Sequence, residues 1–173
     1  LGTSASSLEM ALMLAEQLEE DYHFPQALDV YGLVLRMGND ASKEQSADLK
    51  DTALARVMAI KAKAGDASAL ANLVFAQKSS AGTTRRLMTG TAIAVLRDLE
   101  RYAEAFELIK SLPQAEQGYE NAMTHEVMGN SAAAHELLRQ ALKTSPKAPH
   151  LLNMLGYSLV DANTSPAALA EGT

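Results

Sequence analysis

The 173-residue chain contains no cysteine and no tryptophan, and it has only 5 prolines. The absence of cysteine excludes a disulfide framework, a thiolate metal site and a thiol nucleophile. No uncharged apolar run reaches the roughly 18–20 residues that cross a bilayer, so no membrane span is expected. Fifteen Lys and Arg face twenty-one Asp and Glu, for a net charge of −6. This acidic balance argues against a nucleic-acid binder.

Strand signals are also nearly missing. No segment alternates apolar and polar residues over six positions with β-branched or aromatic enrichment. Long stretches rich in Ala, Leu, Met, Glu, Gln and Lys, all good helix formers, occupy most of the chain instead. With 47% hydrophobic residues, the chain is apolar enough to bury a core. The sequence therefore predicts an all-α fold.

Glycine and proline divide these stretches into pairs of helices joined by tight turns, which are αα-hairpins. We expect a flexible leader at 1–7 and then a single domain over 8–173. Its hairpins lie at about 8–41, 46–82, 86–113 and 115–146, with a partial hairpin at 149–173. The most linker-like stretch is 78–84, which is too short and too mixed to separate two domains.

Two hairpins carry a pattern of large, small and aromatic residues at fixed spacing. In the segment 151–159, Leu155-Gly156 follows Leu152 and precedes Leu159. In the first hairpin Leu14-Ala15 holds the same place, and its helices add small and aromatic landmarks: Ala11, Leu18, Phe24, Ala27, Tyr31 and Val34. This pattern resembles the tetratricopeptide repeat. The resemblance implies a right-handed αα-superhelix, a solenoid of stacked hairpins.

In such a solenoid, small residues let neighbouring helices approach closely while larger ones fill the space between successive hairpins. The small positions by this resemblance are Ala15, Ala27, Ala59, Ala71, Ala134 and Gly156. The filling positions are Leu14, Leu18, Tyr31 and Phe75.

The resemblance also implies a concave groove lined by the first helix of each pair. Its candidate partner-binding residues are Glu9, Leu12, Glu16, Glu19, Glu20, Arg56, Ile60, Lys63, Tyr119, Met123, Glu126, His150, Asn153 and Tyr157. Two alternatives stay open: the Glu run is a solvated helix face, and Tyr119 and Tyr157 cover the core or the next repeat. Leu12 and Glu16 replace the basic and amide groups of a carboxylate clamp, so co-chaperone recognition is not expected.

No catalytic, metal or cofactor site is expected. His125-Glu126 and His135-Glu136 recur ten residues apart, unlike the i, i+4 pair of a zinc protease, so the four histidines are interpreted as surface or turn residues. The crowded Glu16, Glu19 and Glu20 share one helix, which cannot place two carboxylates across a substrate. The basic step 83–86 could bind an anion at a helix start, but an ordinary cap is the preferred interpretation.

The predicted function is a non-catalytic scaffold that binds a partner protein or peptide, as an assembly, secretion or accessory factor. Bacterial members of the resembled family include lipoproteins tethered to the outer membrane. The small-residue start at 1–7 suits such a tether, and an engineered start explains it equally well. We therefore favour a periplasmic or outer-membrane-tethered location over a cytoplasmic one. The alternative is a regulatory or sensor domain cut from a larger enzyme or transcription regulator. A homodimer through an exposed terminal hairpin face is also considered.

Overall fold

A computed structural model describes residues 5–37 and 43–164, and this part of the chain is all-α. The expectation of an all-α fold is confirmed. Nine helices and no strand occur in these two ranges. The helices are α1 (Ala5–Glu20), α2 (Phe24–Met37), α3 (Lys43–Lys63), α4 (Ala67–Ser79), α5 (Gly82–Asp98), α6 (Tyr102–Ile109), α7 (Gln114–Val127), α8 (Ser131–Thr144) and α9 (Pro149–Thr164).

Several predicted boundaries shift. The leader predicted at 1–7 includes the first turn of α1, because that helix begins at Ala5. The linker-like stretch 78–84 is mostly helical, since α4 ends at Ser79 and α5 begins at Gly82. Thr84 at the start of α5 donates a hydrogen bond to Asp51 Oδ2 across 2.7 Å. The end of the predicted partial hairpin 149–173, from residue 165 onwards, lies outside the described residues.

The chain divides into two compact units, Leu1–Leu99 and Glu100–Thr173. The division falls between α5 and α6, which are the two helices of the predicted third hairpin. The first unit therefore contains α1 to α5, and the second contains α6 to α9.

In the first unit, α3 occupies the central position. It packs against α1, α2, α4 and α5, and α1 also packs on α2 and α4 on α5. Apolar residues at helical spacing on three of these helices form a shared core. Its fully buried members include Leu8, Ala15, Tyr31, Val34 and Ala53.

In the second unit, α7 packs on α6 and α8, and α8 packs on α9. Its core gathers Ala122, Ala134, Leu138 and Leu151. Gly118 sets the distance between α7 and α8, because a Cβ at this position would lie 2.9 Å from Ala141 Cβ. Gly118 was not among the predicted close-approach residues.

Four turns between helices share one geometry. A residue with positive φ follows each of α1, α3, α5 and α7, and these residues are Tyr22, Gly65, Glu100 and Gly129. After α1, α3 and α7 the turn closes with the same two backbone bonds, which after α1 are Tyr22 N–H to Glu19 C=O and His23 N–H to Leu18 C=O. This pair of bonds is the Schellman motif. The first helices of these hairpins therefore end in a repeated way.

Among the predicted packing positions, Ala15, Ala27, Tyr31, Ala59 and Ala134 are buried. Leu14 is more than half exposed, so it is not the filling residue that was predicted. A Cβ on Gly156 would meet nothing within 4 Å, so Gly156 mediates no close approach in the described part. In α4 the prediction chose the opposite face of the helix. Ala71 and Phe75 are exposed, while the buried stripe consists of Ala69, Leu70, Leu73 and Gln77.

Candidate functional site

The candidate site is built around Glu19, which joins three helices of the first unit. Its Oε1 accepts hydrogen bonds from the Tyr31 hydroxyl of α2 and from Arg56 Nε of α3, each at 3.0 Å. Arg56 Nη2 donates to the other carboxylate oxygen, so the guanidinium binds the carboxylate through two bonds. The side chains of Arg56 and Glu19 are 30% and 14% exposed. Bidentate charge-assisted bonds of this kind are the strong class of protein hydrogen bond.

The pKa values in this network follow from burial and charge. Burial raises the pKa of the Glu19 carboxyl, but the hydrogen bonds and positive charge of Arg56 outweigh this effect and lower it below its ordinary value. The hydrogen bond to Glu19 raises the pKa of Arg56. Burial and the neighbouring Glu19 carboxylate raise the pKa of Tyr31. The three groups therefore stay in one protonation state around neutral pH, and nothing in the network is poised for proton transfer.

Other polar contacts link α3 to α5. Lys63 Nζ lies 3.7 Å from Asp98 Oδ2, and Asp51 accepts the bond from Thr84 described above. Together with the Glu19–Arg56 pair, these contacts connect α1 to α3 and α3 to α5. Three charged residues predicted for the groove, Glu19, Arg56 and Lys63, thus have intramolecular partners. The Asp98 partner was missed because no local pattern relates residues on separate helices.

A small open pocket of about 170 Å³ lies beside this network. Phe24, Ile60, Lys63 and Ala64 line it, and all four belong to the first unit. Two of them, Ile60 and Lys63, were predicted as groove residues from their position on the first helix of the second hairpin. The pocket combines an apolar wall with an ammonium group, and its size suits one apolar side chain.

The predicted groove residues of α1 do not share one environment. Glu9, Glu16 and Glu20 are exposed, whereas Glu19 is mostly buried in its network. Leu12 is buried in the core with Leu8 and Ala15, so it is a packing residue and faces no groove. The reason is its spacing, since positions 8, 12 and 15 fall on one helix face.

The predicted site residues of the second unit also take different roles. Tyr119 is half-buried, packs against the core, and contacts the His150 ring edge-on at a centroid distance of 5.3 Å. Met123 is half-buried, and Glu126 accepts a hydrogen bond from the Ser131 hydroxyl at 3.2 Å. Asn153 and Tyr157 are exposed on α9. For Tyr119 the core-covering alternative therefore describes the structure, and Tyr157 remains available to a partner.

The histidine prediction is half right. His23 and His150 are exposed, but His135 is buried on the inner face of α8, and His125 is half-buried against the Phe106 ring at 4.9 Å. Both lie on the inner faces of amphipathic helices, which the local sequence alone did not distinguish from surface positions.

Two further surface pockets do not present a favourable set of binding groups. One of about 160 Å³ at the start of α5 is lined by Asp48, Asp51 and residues of the basic step 83–86, and its two carboxylates oppose an anion. The other, of about 320 Å³, lies between α7 and α8 around Gly118. Within residues 5–37 and 43–164, no three His, Asp or Glu side chains are grouped to hold a metal ion. No helix in the same ranges is long and apolar enough to span a membrane.

When the chain is compared with known protein families, curated proteins and solved structures, no family model, protein or structure matches it significantly.

Proposed function

We propose that this chain is a non-catalytic scaffold that binds a partner protein, and that a segment of the partner inserts an apolar side chain into the pocket formed by Phe24, Ile60, Lys63 and Ala64. We also propose that the hairpins stack in the manner of tetratricopeptide repeats. Binding in a solenoid of this kind takes place along the wall formed by successive first helices.

The observation that carries the proposal is the connection of α1, α3 and α5, which are the successive first helices of the first unit. The Glu19–Arg56 and Lys63–Asp98 pairs bridge them, and α3 contacts both of the others. Such bridges hold a binding wall in one shape before a partner arrives, which reduces the entropy lost on binding.

The repeated turns support the stacking. In the described chain α1, α3, α5 and α7 all end in a residue of positive φ, and the next helix begins within a few residues. Repeated supersecondary units with equal turns are typical of solenoids, in which each unit covers the apolar face of its neighbour.

The pocket is tested by filling it. Ala64→Trp places a large ring in the pocket, and Ala67→Trp places the same ring at an exposed position just across the turn. The tagged wild type and both variants are expressed in the organism that encodes the chain, and co-purifying proteins are quantified by mass spectrometry. We expect a defined set of proteins to be recovered with the wild type and Ala67→Trp and lost with Ala64→Trp.

A photo-crosslinking residue at position 63 supplies the direct readout. It is expected to crosslink a member of that same set, while the same residue at position 78, exposed on α4, does not. Equal recovery with all three chains would exclude the pocket as the binding site. If Ala64→Trp lowers the melting temperature, Lys63→Glu takes its place as the pocket variant.

A further inference from the structure

The face of α1 that points away from the protein core is apolar. Met10, Met13 and Leu14 are 70%, 67% and 54% exposed. Their spacing of three and four residues places them in one stripe along the helix. The opposite face of the same helix packs into the core through Leu8 and Ala15. A helix with apolar residues on both faces covers one of them with another molecule or segment, or leaves it exposed at a cost in solubility.

A row of carboxylates borders this stripe. Glu9, Glu16 and Glu20 are all exposed and follow one another at intervals of seven and four residues. This spacing puts them on one side of the helix, next to Met10 and Met13. The helix contains no lysine or arginine, so the row has no cation on its own helix to neutralise it.

We propose that the Met10–Met13–Leu14 stripe, with its border of Glu9, Glu16 and Glu20, is a docking surface for a basic amphipathic helix of a partner protein. The partner helix lays its apolar residues along the methionine stripe, and its Lys or Arg side chains meet the glutamate row. None of these residues lines the pocket at Phe24 and Ile60. The inference rests on the proposed partner-binding function and adds a second contact surface to it on α1.

The negative charge of the glutamate row determines which kind of partner helix can bind. Three like carboxylates along one side repel an acidic helix and attract a basic one, which sets both the choice of partner and its orientation. Methionine suits this role because its unbranched, polarisable side chain adapts to different apolar contacts. The 16 residues of α1 span about 24 Å, which matches a partner helix of about four turns.

Two synthetic peptides test the proposal directly. The basic peptide has 14 residues, leucines at helical i, i+3, i+4 and i+7 spacing and lysines at the flanking positions. The acidic peptide has the same leucines with glutamate in place of lysine. Binding is measured by fluorescence anisotropy at about 150 mM salt, and the methionine methyl resonances are followed by NMR. We expect the basic peptide to bind and to shift the Met10 and Met13 methyl signals, and the acidic peptide to bind at least tenfold more weakly.

Matched variants separate the stripe from general attraction to an acidic protein. Met10→Gln with Met13→Gln is expected to weaken binding of the basic peptide at least tenfold, while Val127→Gln with Leu152→Gln, exposed apolar residues of the second unit, leaves it unchanged. Neutralising the row to Gln at 9, 16 and 20 is expected to weaken binding about tenfold and reduce its salt dependence. The same change at Glu104, Glu107 and Glu136, which belong to the second unit, alters the net charge equally and is expected to have little effect.

Three results would overturn the proposal. These are equal loss of binding with the two glutamate triples, unchanged binding after the methionine substitutions, and equal affinity for both peptides. A wild-type chain that forms a dimer dissociated by Met10→Gln with Met13→Gln would assign the stripe to a second copy of this chain instead. Loss of partner proteins in the Ala64→Trp experiment does not bear on any of these outcomes, because that substitution lies in the pocket.

Discussion

Arg56 on α3 binds the carboxylate of Glu19 on α1, 37 residues earlier in the chain, through both of the oxygens that a carboxylate offers. Tyr31 of α2 donates a third bond to the same group. One carboxylate therefore organises three helices, and its partners come from two of the predicted hairpins.

Loss of this carboxylate is expected to destabilise the first unit. Glu19→Gln keeps an acceptor for Tyr31 but leaves the Arg56 guanidinium largely buried without its counter-charge, which costs about 2 kcal/mol of unfolding free energy. Urea unfolding followed by circular dichroism, with amide exchange of residues 8–20, measures the loss. The matched control is Glu104→Gln, which breaks an exposed i, i+3 pair with Arg101 and changes stability little. Equal effects of the two substitutions would show that the Glu19 network carries no special stability.

The same pair gives the stability a defined pH dependence. The pKa of Glu19 is lower in the folded chain than its unfolded value of about 4.3, so its contribution is complete above that value. The contribution is lost as the pH falls through the lower folded pKa, because protonation then removes the bonds to Arg56. The difference in unfolding free energy between wild type and Glu19→Gln is therefore expected to stay constant above about pH 5 and to shrink over the range below about pH 4. A constant difference over this range would contradict the lowered pKa.

A methyl group at position 118 is expected to push α7 and α8 apart. Gly118→Ala places its Cβ against Ala141, and the overpacking of about 1–3 kcal/mol exceeds the gain of about 1 kcal/mol in helix propensity. Gly118→Ala with Ala141→Gly restores the packing, so a double-mutant cycle by thermal unfolding is expected to show a favourable coupling. Gly90→Ala is the control, since its Cβ meets nothing within 4 Å and only the gain in propensity remains. Additive effects at 118 and 141 would rule out the contact.

The turn after α5 contains a residue with a strained backbone conformation, which a substitution can relieve. Glu100 has φ of 58°, a conformation that costs a side-chain-bearing residue about 1 kcal/mol and costs glycine nothing. Glu100→Gly is expected to raise the melting temperature, whereas Gly129→Ala, at the equivalent turn after α7, is expected to lower it. Differential scanning calorimetry measures both changes. A lower melting temperature for Glu100→Gly would mean that Glu100 does not hold this conformation.

Much of the fold can be predicted from the local sequence. Pro25, Gly65, Gly129 and Pro149 each stand at a helix boundary, and the all-α class follows from helix propensity with few interruptions. The same signals failed at 78–84, where small and β-branched residues suggested a linker. There α4 continues to Ser79 and α5 begins at Gly82, and Thr84 donates a hydrogen bond to Asp51 of α3, a contact that no local pattern reveals.

Less of the candidate site could be predicted from the sequence. The repeat resemblance placed Arg56, Ile60 and Lys63 on one groove-facing surface of α3. It could not show that Ile60 is buried in the core, that Arg56 pairs with Glu19 or that Lys63 pairs with Asp98. It also assigned Leu12 to a groove although Leu12 lies in the core, and Phe75 to a core although Phe75 is exposed. An amphipathic pattern shows that a helix has two faces, and in a nearly apolar helix such as α4 it does not show which face is inside.

The sequence by itself determined that this chain is a series of helices, where most of them begin and end, and which charges and apolar residues share a face. These properties depend on residues within a turn or two of one another. Only the tertiary structure decided that Glu19 is tied to Arg56 while Glu9, Glu16 and Glu20 stay exposed, and that the methionines of α1 lie outside while Leu12 lies inside. Burial is a property of the neighbours that other helices supply, and residues distant in sequence become neighbours only when the chain folds.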